Sequence, residues 1–153
     1  MATGNKIYPL WKEALMKEPL SPLPTTTSLD QGDIVPANGV YVSLVDIDAG
    51  KYVYSDSHQY YSSVSPNVIG TPQLLLNTGG PYVAGRVFNG DTVVFQNVTG
   101  SKIGALVLTR QNAGAAGTWR LVLYEDTGIV GIPLIPSGGN IMVEWNTLGI
   151  FGL

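Results

Sequence analysis

Cysteine is absent from this chain of 153 residues. That removes disulfide frameworks, thiol nucleophiles and cysteine-based zinc sites, and it fits folding in a reducing cytosol. Charge is also scarce. Eight Lys and Arg and 11 Asp and Glu make up 12% of the residues, with a net charge of −3, about half the usual globular share. Such a balance lacks the basic face that nucleic-acid binding requires. Long apolar runs are missing: Ile103–Leu108 is one of the longest, far short of the ~20 residues of a spanning helix. The first residues, Met1–Lys6, carry no basic stretch leading into an apolar one, so no secretory signal is read there. The expectation is a soluble protein with no cofactor, no nucleic-acid partner and no membrane partner.

What is present is 44% hydrophobic residues, 19 Gly, 10 Pro and 8 Tyr. The length fits one domain, or one domain plus an arm. The spacing predicts a helix opening at Pro9, whose missing N–H suits a first turn, and closing before Pro19. Leu10, Trp11, Ala14 and Leu15 fall on one side of it, so it must dock through Trp11 and Leu15 on its own body or on a partner. Pro19, Pro22, Pro24 and Pro36 punctuate a Thr/Ser/Asp-rich stretch up to Gly39, which reads as an extended connector. Residues 1–39 are therefore expected to form a helix-tipped arm, and residues 40–153 the domain.

That domain reads as short strands. Val40–Val45 alternates as a half-buried strand, Asp56 and Gln59 have capping-box spacing for a helical turn near Ser57–Tyr61, and Asn89-Gly90 marks a turn. Thr92–Val98, Ile103–Arg110, Trp119–Glu125 and Asn140–Trp145 follow as strands, with the second and third joined by the Gly-rich loop 112–117. The expected class is mainly β, a single antiparallel sandwich or jelly roll. Ile103–Leu108 is apolar on both alternating faces, so its second face must be covered by the arm or by another subunit.

No constellation for catalysis stands out. His58 is the single histidine and no Gly-x-Ser-x-Gly elbow accompanies it. Asp46 and Asp48 share a strand face but lack the further oxygen ligands of a calcium loop. Glu125, Asp126 and Glu144 are the carboxylates available for acid–base work, and turn chemistry accounts for the first two. No catalytic, metal or cofactor residue is assigned. The excess of tyrosine is more telling. Tyr52, Tyr54, Tyr60 and Tyr61 cluster within a short span, a candidate contact surface for protein or sugar.

Several segments resemble one family. Ile7-Tyr8-Pro9-Leu10-Trp11-Lys12-Glu13-Ala14-Leu15, Val42-Ser43-Leu44-Val45-Asp46 and Tyr52–Tyr60 are similar to the small structural proteins of tailed bacteriophages. So are Phe95, Val98-Thr99-Gly100, and the closing run with Asp126-Thr127-Gly128, Gly131-Ile132-Pro133, Pro136–Ile141, Val143-Glu144-Trp145 and Ile150-Phe151. The enlarged connector Pro19–Gly39 departs from that pattern. The resemblance implies a capsid decoration or cement protein, made in the host bacterial cytoplasm and placed on the virion's capsid exterior. Its partners would be the major capsid protein and neighbouring copies of itself. Ile7, Tyr8, Leu10, Trp11, Leu15, Pro22 and Pro24 on the arm, with Tyr52, Tyr54, Tyr60 and Tyr61, are the expected contact residues. A tail or head-fibre protein and a carbohydrate-binding module are the alternatives.

Overall fold

The computed structural model describes residues 4–17, 39–76, 87–88, 90–111, 114–145 and 150–152. In chain order these form β1 (Lys6–Ile7), α1 (Pro9–Lys17), β2 (Val40–Val45), β3 (Val68–Leu75), β4 (Val87–Phe88), β5 (Val93–Phe95), β6 (Ala105–Arg110), β7 (Arg120–Glu125), β8 (Ile141–Val143) and β9 (Phe151–Gly152). One sheet has the order β1-β7-β6-β2-β3, and two ribbons pair β4 with β9 and β5 with β8. Every strand pairing among the described residues is antiparallel. The architecture is mainly β and sandwich-like, as the alternating runs and Gly-rich turns imply.

Register explains how both faces of the large sheet are buried. Pairing sets Tyr41, Ser43, Val107, Thr109 and Tyr124 on one face, and Val42, Leu44, Leu106, Leu108 and Leu123 on the other. On the first face, the rings of Tyr52 and Tyr54 lie against Tyr124, and Tyr54 also meets Tyr8. On the second face, Leu75 fills the space beside Gly90, where an added Cβ would come within 2.6 Å of Leu75 Cγ. Leu106 shares a cleft wall with Val143 of β8. The β5–β8 ribbon is thus the second layer.

Three expectations change at this point. Val40–Val45 is not half-buried: apart from Tyr41 it is buried throughout, because β2 lies between β6 and β3 with a layer on each side. The two-faced apolar run of β6 is covered by the chain itself, with all six residues buried, so it needs no second subunit. The helical turn falls at Tyr61–Ser63 and Ser65–Asn67 rather than at Ser57–Tyr61. Asp56 does not cap it, since its carboxylate accepts from Tyr54 Oη at 2.8 Å, whereas Pro66 opens the second turn.

The N-terminal segment takes part in the large sheet. β1 is an edge strand of the large sheet, with Lys6 opposite Tyr124 and Ile7 opposite Leu123. Tyr8 N–H continues the pairing to Val122 O at 3.0 Å, and Tyr8 and Trp11 are buried. Residues 4–17 therefore belong to the same packed body as the strands, while the Pro-rich connector between them lies outside the described residues. Further along the same β7 edge, Leu121 N–H donates to Gln59 O and Tyr61 N–H to Trp119 O. Two segments distant in sequence thus close one edge of the sheet, which would otherwise be open for pairing. The opposite edge strand, β3, carries Pro72, which fits only where a ladder N–H is dispensable.

Candidate functional site

Four of the eleven expected contact residues are core residues. Tyr8, Trp11, Tyr52 and Tyr61 are buried, Ile7, Leu10 and Tyr54 are half-buried, and Tyr60 is exposed. Leu15 falls within α1, and Pro22 and Pro24 lie outside the described residues. The rings of Tyr8, Trp11, Tyr52 and Tyr61 belong to the chain's own core.

The tyrosines form a hydrogen-bonded layer. Tyr8 Oη and Tyr52 Oη are 2.7 Å apart, and Tyr52 Oη lies 3.0 Å from His58 Nδ1. Burial pushes the Tyr8 hydroxyl well above the usual phenol range and the Tyr52 hydroxyl up to about 12. Both stay protonated at neutral pH, so they act as hydrogen-bonding groups of the core. A second stack places Trp119 between Tyr41 and Tyr61, at 5.5 and 5.8 Å. Tyr60, outside that stack, carries the Arg120 guanidinium over its ring at 5.4 Å.

The acidic residues also have structural work. Asp46 Oδ1 accepts the Asp48 N–H at 3.0 Å, and Asp48 pairs with Lys102 at 2.6 Å. Among the described residues no three His, Asp or Glu side chains converge to hold a metal. Asp126 fastens the N-terminus to the end of β7. Its carboxylate accepts from Gly4 N–H at 2.9 Å, Thr127 Oγ1 at 2.8 Å and Tyr124 Oη at 3.0 Å. Asn5 answers from the other strand, accepting from the N–H groups of Asp126 and Thr127 at 3.1 Å each. Asp126→Ala is expected to cost about 2 kcal/mol, since it strands partly buried donors; urea unfolding measures it, and an unchanged midpoint would refute the role.

Glu125 differs. Strand alternation turns it to the second face, opposite Leu106, into an open cleft of about 1060 Å³ also bordered by Ile129, Ile132, Val143 and Trp145. Desolvation there pushes its carboxyl up to about 7 from an ordinary 4.5. A carboxyl raised on folding retains a proton that the unfolded chain has lost, so stability falls as pH rises from about 4.5 to about 7. Allowing for its partial exposure, the loss is about 1–2 kcal/mol. Glu125→Gln is expected to remove that slope. Unfolding free energies of both proteins from pH 4 to 8 check it, and a pH-independent difference would count against it.

The rim of this cleft carries several exposed apolar side chains. Val130 is 98%, Ile135 73% and Met142 59% exposed, and Met142 sits directly opposite Val94, itself 39% exposed, on the outer face of the β5–β8 ribbon. Sequence reasoning missed this surface. The signal was available, because Phe95 and Val143 face inward and period-two alternation then turns Val94 and Met142 outward. Apolar side chains gathered at one place mark an interaction site more often than isolated ones do.

Among the described residues, no helix is long and apolar enough to cross a membrane. Comparison with protein-family models, curated proteins and solved structures finds no match to this chain.

Proposed function

We propose that the chain is a structural protein of a tailed-bacteriophage virion, a decoration or cement protein that binds the outside of the major capsid shell and stabilises it. The motif resemblance supplies the virion. The observation that carries a binding role is the set of exposed apolar side chains at the cleft rim, Val130, Ile135 and Met142, with Val94 opposite Met142 on the ribbon. Covering it on a partner removes apolar area from water at about 25 cal/mol per Å², and repetition over a shell multiplies a modest contact. Neighbouring copies of the chain, side by side on that shell, are further partners in this reading.

In this reading the contact lies on the ribbon side of the sandwich, around the cleft that Asn5 also borders. A sugar-binding platform would need flat exposed rings, and the burial of Tyr52 and Tyr61 with the stacking of Arg120 on Tyr60 leaves little of one. Gold-labelled antibody against the protein, imaged on purified particles, tests the location. Label on the head is expected. Label on the tail or on fibres would replace the decoration role with the tail or head-fibre alternative, and unlabelled particles would overturn the virion reading.

A further inference from the structure

The Glu125 cleft combines three features seldom found together in a merely structural hollow. Its volume, about 1060 Å³, is at the top of the range of ligand pockets, roughly 300–1,000 Å³, so it holds several side chains. Its mouth is fringed by Val130, Ile135 and Met142. The titratable groups that line it are Glu125 and Glu144, with no Lys, Arg or His among the described lining residues. We propose that this cleft receives a basic peptide segment of a partner protein, one Lys or Arg side chain carried between apolar neighbours. The head group would pair with Glu125 while the neighbours cover the rim.

Charge complementarity selects this occupant. The Glu125 side chain has no hydrogen bond or ion pair within the described residues, and the register places apolar Leu106 opposite it. Lys6 on β1 pairs with Tyr124, on the other face, and lies over the Tyr54 ring at 6.0 Å. Arg110 and Arg120 pair with each other at the far end of β6 and β7. Asp126 is held by Gly4, Tyr124 and Thr127, and Asn5 by Asp126 and Thr127. A wholly apolar occupant would seal the carboxyl away with no hydrogen-bond partner, which is costly even when it is protonated. A guanidinium or ammonium instead meets it in a charge-assisted hydrogen bond. The pairing belongs to the isolated chain, so it stands or falls apart from the virion reading.

Ionised Glu125 is the binding form, and its titration near pH 7 sets the pH response. For a group titrating at about 7, the share ionised makes binding about tenfold tighter at pH 8 than at pH 6. The test titrates the full-length protein, with labelled isoleucine methyls, with acetyl-Ile-Arg-Ile-amide and its citrulline counterpart, which keeps the shape without the charge. The arginine peptide is expected to move the Ile129, Ile132 and Ile135 signals, to bind at least fivefold tighter than the citrulline peptide at pH 8, and to weaken about tenfold by pH 6. Glu125→Gln should abolish both the charge preference and the pH dependence. Equal binding of the two peptides, no movement of those methyls, or an unaltered pH response in Glu125→Gln would each overturn the proposal. Should that variant fail to fold, the two peptides and two pH values on the unaltered protein still decide. Concentration-dependent shifts of the same methyls without peptide would make a second copy the occupant, and would overturn the partner-protein assignment.

Discussion

Trp11→Ala is expected to destabilise the protein by about 3–5 kcal/mol, and deletion of residues 1–17 to leave no stable folded domain. Trp11 is buried although it stands on a helix too short to persist alone, so its ring is what holds α1 to the body. Tyr8, one residue before α1, is equally buried and bonded to Tyr52. Losing both, together with the β1 ladder, removes a sum comparable to the whole ~5–15 kcal/mol of a typical domain. It also uncovers the β7 edge beside Leu123 and Tyr124. A free arm would behave otherwise: its removal would leave the melting temperature unchanged. Circular dichroism melts of the variant and the truncated chain separate these outcomes.

The second large effect lies in the other layer. Phe95→Ala should cost about 3–5 kcal/mol, because a buried ring is exchanged for a cavity between ribbon and sheet. The adjacent change Val94→Lys should cost no more than about 0.5 kcal/mol, since Val94 points outward. One register step separates the two, and a strand has period two. If Val94→Lys proves as costly as Phe95→Ala or more so, Val94 does not point outward and the proposed contact face is wrong. Chemical denaturation of the pair settles it.

These expectations show which parts of the fold local sequence carries. α1 was legible because Pro9 opens it and Pro19 follows it, and β6 and β7 because their apolar runs are long and bounded by turns. β3 is hard to read locally: it starts at Val68 and contains Gly70 and Pro72, residues that ordinarily argue against a strand and are accommodated at an edge with a bulge. Pairings between distant segments leave no local period, so neither Lys6 with Tyr124 nor Val94 with Met142 could be read from spacing. The tyrosine excess misled for the same reason. Four rings close in sequence suggested a surface, but Tyr8 and Tyr124 come from elsewhere in the chain to pack against Tyr52 and Tyr54, and Trp119 stacks on Tyr61. Glu125 read as a turn residue, because its apolar setting is supplied by residues 129–145 folding past it.

The interior thus accounts for Tyr8, Trp11, Tyr52 and Tyr61 among the residues first expected at a partner interface, and the apolar rim around Met142 becomes the surface to test. Val94→Lys with Met142→Glu places an opposite-charge pair across the ribbon, keeping strand pairing and net charge while removing the apolar character. The decisive measurement is cosedimentation of the unaltered protein and this double variant with phage heads that lack the protein. Saturable binding of the unaltered protein, and at least tenfold weaker binding of an equally stable double variant, is the expected result. Equal binding of the two, or no binding of either, would contradict the account.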